Sequence, residues 1–195
     1  DEYRRVAVDS VLRNFYTCKL MLGIYFNDLE AAGAAADILW KYPSDVDGTV
    51  AFSFFRRFFL GLTALQMAKK TGKFKHIRRS RAVIKEIRSF AKGGNVNCHP
   101  MLLLLYAERS VLRRRPENET KDAFSNAIVA ANRSGFMNHA ALAYERAASY
   151  YLQRGDKSEA AHYFNKAREK FGEWGASAKS EQIDKQYSHL LLDRK

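Results

Sequence analysis

The stretch YERAASYYLQRGDKSEAAHYFNKA, residues 144–167, decides the fold. Tyr144, Ala147, Ala148 and Tyr151 recur at three- and four-residue steps and so share one face of a helix. Ala160, Phe164 and Ala167 repeat the pattern after Gly155, which lies in the turn. Asp156 and Glu159 have the spacing of a capping box, which opens the second helix. The side-chain sizes match across the turn. Small residues at 147, 148 and 160 let two helices cross closely, while Tyr144, Tyr151 and Phe164 fill the space beside the crossing. The segment reads as an antiparallel helical hairpin.

Working outward, the same unit recurs. Residues 2–41 predict a first hairpin. Val11, Leu12, Phe15, Tyr16, Leu20 and Leu22 give its buried stripe, and Asn27 with Glu30 caps an alanine-rich second helix that runs out at Pro43. Residues 49–92 predict a longer one, broken at Gly72 and closed by Gly93-Gly94-Asn95. Residues 98–134 and 137–173 predict two more, and a capping helix follows over 176–192. The expectation is an all-α protein, an α-solenoid of about nine helices in one helical-repeat domain covering residues 1–195. Proline is scarce at 3 residues, all between apolar-periodic stretches, which favours long helices over a turn-rich β fold. The aromatic run Phe52, Phe54, Phe55, Phe58 and Phe59 spreads round more than one helix face and reads as core.

The pattern W-x2-L-G-x2-Y, then A-x3-F, defines the tetratricopeptide repeat. Tyr144, Ala147, Ala148 and Tyr151, then Ala160 and Phe164, resemble it. From Asn95 onward the chain also resembles a helical segment of very large signalling proteins. Those proteins join a protein-kinase-like domain, a STAND-class ATPase and a histidine kinase or cyclase output. The likeness is carried by Ala123, Ile128, Ala131, Gly135-Phe136, Ala141-Leu142-Ala143 and Tyr150-Tyr151-Leu152. It is strongest at Trp174-Gly175-Ala176 with Ala178-Lys179, where Trp174 anchors a helix end and Gly175 takes a left-handed cap. In the first half only Leu22-Gly23, Tyr25 and Asp28-Leu29 support it. Ser180 and Ser188 depart from the family's usual ending. The resemblance implies degenerate tetratricopeptide-like hairpins after the ATPase, coupling a sensor or ATPase to an output domain.

Chemistry is sparse. No GxxxxGK[ST] loop is present, so no nucleotide cofactor is expected, and neither is a metal. Cys18 and Cys98 lie far apart without a CxxC spacing, and His76, His99 and His189 show no ligand spacing. His139 and His162 read as packing or surface histidines rather than phosphoacceptors. Glu108 and Glu145 stand beside Arg109 and Arg146, but helix neighbours do not face each other, so each glutamate reads as half of an inter-helix ion pair. No catalytic site is expected.

One feature is basic. Lys69, Lys70, Lys73, Lys75, Arg78, Arg79, Arg81, Lys85, Arg88 and Lys92 crowd residues 69–92, with Glu86 the sole acid there. Ile77, Ser80, Ile84, Ile87 and Ala91 form the buried stripe, so Lys75, Arg78, Arg79, Lys85 and Arg88 project outward as a ridge for an acidic partner. The whole chain has 33 Lys plus Arg against 21 Asp plus Glu, a formal charge of +12, which bears on partners and not on fold. Nucleic acid or another polyanion is the alternative ligand. Base stacking is disfavoured because no aromatic residue interleaves the polar side. Protein segments or neighbouring domains are expected against first-helix residues Glu108, Glu145 and Ser149. The absence of a signal peptide, of an initiating Met and of a long apolar run suggests a cytoplasmic fragment of a larger protein.

Overall fold

The computed structural model describes residues 2–42 and 50–191, with side chains at 8–42 and 54–191. Pro43 and the side chain of Phe52, both named above, lie outside the described residues. Within them the chain is all-α, with nine helices and no strand. These are α1 (Glu2–Tyr25), α2 (Leu29–Leu39), α3 (Val50–Thr71), α4 (Phe74–Lys92) and α5 (Cys98–Leu112). They are followed by α6 (Glu117–Arg133), α7 (Met137–Gln153), α8 (Lys157–Glu173) and α9 (Ser177–Leu191). The helices gather into two compact units, residues 1–90 and 91–195.

In the first unit α1 packs against α2, and α3 packs against both. The close crossing of α1 and α2 follows from small residues. A Cβ added at Gly23 would lie 2.8 Å from the Ala32 nitrogen, and Ala32, Ala35 and Ala36 are buried. The face of α1 that meets this surface is not the predicted stripe. Leu20 is buried as expected, but Val11, Phe15 and Leu22 are exposed, and Arg13, Thr17, Ile24 and Tyr25 are buried instead. The predicted stripe failed because α1 is apolar on two sides, and the alanine face of α2 covers the side that carries Gly23. Polar Arg13 and Thr17 are accommodated there: the Thr17 hydroxyl donates to the Arg13 carbonyl at 2.7 Å, and the Arg13 guanidinium sits over the Tyr42 ring at 5.9 Å.

The cap of α2 also differs from expectation. Asp28 is the N-cap, its carboxylate accepting from the Ala31 N–H at 2.9 Å. Asn27 instead takes the left-handed conformation (φ 59°), which asparagine tolerates better than most residues. From residue 54 to 68 helix α3 is buried or half-buried at every position, as a largely apolar helix must be, and buried Arg57 reaches Glu86 at 3.0 Å. Phe54, Phe58 and Phe59 are core, matching the reading of the aromatic run.

The second unit is a chain of adjacent pairs. α5 packs on α6, α6 on α7, α7 on α8 and α8 on α9, with α7 also touching α5. The α7–α8 crossing is the most extensive, and Ala147, Ala148, Ala160, Phe164 and Ala167 are all buried within it. Asp156 caps α8 by accepting from the Glu159 N–H at 3.0 Å. Helices α7 and α8 end alike. Gly155 (φ 83°) donates to the Leu152 carbonyl while Asp156 donates to Tyr151, and Gly175 with Ala176 repeats this on Gly172 and Phe171. Both are Schellman turns, which need a left-handed residue and take glycine at least cost. Trp174, expected as an anchor, is 43% exposed, so Phe171 holds that end of α8.

Candidate interaction surfaces and the buried charge seam

The residues singled out in the sequence fall on both units. On α4, Val83, Ile84, Ile87, Ser80 and His76 are buried, while Ile77 and Ala91 are only half-buried. Lys75, Arg78, Lys85 and Arg88 are exposed as the ridge requires, and Arg79 is half-buried. Lys75 and Arg79 both reach one carboxylate of α2. Lys75 pairs with Asp37 of α2 at 3.2 Å, and the Arg79 guanidinium pairs with the other oxygen of the same carboxylate and lies 5.0 Å from the Trp40 ring centroid. Burial raises the Asp37 pKa, but the hydrogen bonds from Arg79 and Lys75 outweigh it and leave the group below its usual value. Burial, reinforced by the Lys75 and Arg79 charges, pushes the His76 pKa down and favours the neutral imidazole. Arg78, Lys85 and Arg88 are the exposed residues of the ridge beyond that carboxylate.

The first-helix residues behave differently from the expectation of a partner surface. Glu108 and Glu145 are each 1% exposed and cannot touch a docked segment. Glu108 of α5 accepts from Arg146 Nε of α7 at 2.6 Å, and Glu145 of α7 accepts from Lys179 Nζ of α9 at 2.6 Å. The reading of each glutamate as half of an inter-helix ion pair thus holds, and it excludes the partner role. Burial alone would lower the Arg146 pKa, but the Glu108 carboxylate raises it overall. For Lys179 burial wins, and its pKa is lowered despite Glu145. Gln182 accepts from the same ammonium at 2.7 Å. Ser149 is half-buried, its hydroxyl donating back to the Glu145 carbonyl at 3.0 Å, a helix-internal bond. Tyr187, at a kink in α9, stacks on Phe164 with centroids 3.7 Å apart.

The partners Arg146 and Lys179 were not identified from sequence. Arg114, Arg115 and Arg154, which line a cavity of about 380 Å³ with Glu117, Thr120 and Tyr150, were missed as well. A local signal for Arg114 existed: the run Arg113-Arg114-Arg115 stands before Pro116 where the later hairpins have glycine.

Cys18 is exposed, Cys98 is buried, and they form no disulfide. Among the described residues no group of three or more His, Cys, Asp or Glu side chains is placed to hold a metal. None of the described helices is long and apolar enough to cross a membrane. The fold defines an all-α protein built of adjacent helix pairs. Comparison with protein-family models, with curated proteins and with solved structures finds no match.

Proposed function

We propose that this chain is a non-catalytic helical-repeat scaffold, an α-solenoid whose surface holds segments of other proteins or adjoining domains. The observation that carries the reading is the uncovered apolar face of α1. Val8, Val11, Phe15 and Leu22 are all exposed at helical spacing, with exposures between 52% and 68%. Single exposed apolar residues are ordinary, but a contiguous stripe marks an interaction face. An amphipathic helix of a partner segment matches such a stripe in period and chemistry. The buried pairs joining α5, α7 and α9 support a mechanical role, because a shift of one first helix displaces the charge that the next must keep paired. The coupling of a sensor or ATPase to an output domain rests on the family resemblance. A second reading, binding of nucleic acid or another polyanion, is favoured by the +12 charge and by exposed Arg78, Lys85 and Arg88.

The test is cross-linking in cells expressing the full reading frame, using exposed Lys19 beside Phe15 as the reactive handle. Cross-links from Lys19 to one defined protein segment are expected, and they should disappear in the Val11→Glu, Phe15→Glu double variant. Identical cross-links in both chains, or none in either, would overturn the docking face. Binding to RNA that falls by several powers of ten between low and moderate salt would instead favour the second reading.

A further inference from the structure

The cavity in the second unit lies between the α5–α6 turn and the end of α7. Its charged lining is Arg114, Arg115 and Arg154 against Glu117, a balance of three positive charges to one negative. Arg154 Nη2 donates to Glu117 at 3.1 Å, and Lys121 Nζ donates to the same carboxylate at 2.8 Å. Hydrogen bonds from Lys121 and then Arg154 hold the Glu117 carboxyl below its usual range. Arg115 reaches Glu119 only at 4.0 Å.

The turn itself is unusual. Arg114 donates to the Val111 carbonyl and Arg115 to the Ser110 carbonyl, the same Schellman geometry that closes α7 and α8. In those two turns glycine takes the left-handed position. Here Arg114 takes it, with φ 51°, although a side chain is strained there. Pro116 follows, and it restricts Arg115 to extended conformations. Two guanidinium groups are thus mounted on a stiff, strained turn beside a third that an ion pair orients. Strain retained where glycine would be easier is a mark of a functional position.

We propose that this cavity binds a phosphate-class dianion, the phosphomonoester of a small molecule. A dianion neutralises the net charge of the lining, and planar guanidinium groups match phosphate oxygens with paired hydrogen bonds. The volume lies in the range of small-molecule sites, and Val111, Thr120, Tyr150 and Gln153 complete a wall able to take an uncharged moiety. A long polyanion would follow an extended basic track, whereas these three arginines line one open depression. The site uses none of the residues of the apolar face of α1, so either can fail alone.

The experiment is calorimetric titration and thermal melting of the whole chain with inorganic phosphate, glucose 6-phosphate and AMP, at ionic strength matched with KCl. Saturable binding and a raised melting temperature are expected with a phosphomonoester. Binding of inorganic phosphate alone would show that the uncharged moiety contributes nothing, and would overturn the small-molecule assignment. Arg114→Gly is the decisive variant. It relieves the strain, so without ligand it should melt at or above the wild-type temperature, yet its affinity should fall about tenfold or more. Arg154→Gln should lose affinity similarly. Equal affinity of wild type and both variants, or no binding of any of the three compounds at millimolar concentration, would overturn the proposal.

Discussion

Among single residues, His139 carries the clearest physical consequence. It lies near the start of α7, 2% exposed, with the Phe136 ring 5.4 Å away. Burial lowers its pKa from 6.5 to about 4. The unfolded chain therefore takes up this proton below about pH 6.5, while the folded chain refuses it until about pH 4. Stability is intact above the upper value, falls as pH drops through the window, and has lost its full share near the lower one. That share amounts to up to about 3 kcal/mol. Urea denaturation at pH 7 and at pH 4.5 should show a smaller difference for His139→Leu than for the wild type, and parallel pH dependences would refute the assignment. Sequence alone leaves His139 as a packing or surface histidine, and its burial decides between the two. The role of Gly23 was not legible: its Leu-Gly-x-Tyr stretch carries only the resemblance, and the crossing that leaves no room for a side chain appears only in the fold. The burial of Glu108 was only half legible. An inter-helix partner could be expected, but the one used lies 38 residues away on α7, and nothing local names it.

Between elements, the ion pairs decide how first helices hold one another. Glu145 and Lys179 join α7 to α9 with side-chain exposures of 1% and 2%. Removing one partner from such a pair strands the other charge in a low-dielectric site, at a cost of about 3–5 kcal/mol. Glu145→Gln should lower the urea midpoint accordingly. The double variant Glu145→Leu, Lys179→Met, which replaces both charges by apolar groups of similar volume, should recover most of that loss. A single variant within about 1 kcal/mol of wild type would show the pair to be well hydrated. Helix ends were readable to different degrees. Asp156 is legible as a cap from its capping-box spacing with Glu159 just after the glycine turn. The choice of Asn27 over Asp28 failed because two candidate caps stand side by side, and only the backbone geometry tells which one is left-handed. The buried face of α1 was misread for a related reason: with apolar residues on two sides, periodicity alone cannot say which side a neighbour covers.

For the molecule as a whole, the question is which parts can stand alone. The expectation of paired helices survives, because alanines at the crossings and aromatic residues beside them state the geometry locally. Whether successive pairs continue as one solenoid is not written in any single pair. The second unit closes on itself: Leu105, Phe124, Phe164, Phe171 and Ile183 are buried, and both charge pairs have their two members inside residues 91–195. A unit of about 100 residues is large enough to bury a sufficient core. Residues 91–195 produced as a separate chain should therefore remain helical and melt in one cooperative step, with Tyr187 still protected from solvent by Phe164. Near-ultraviolet circular dichroism and calorimetry read this directly. A chain that keeps helical signal but loses tyrosine asymmetry and cooperative heat uptake would show that the first unit supplies packing the second cannot replace.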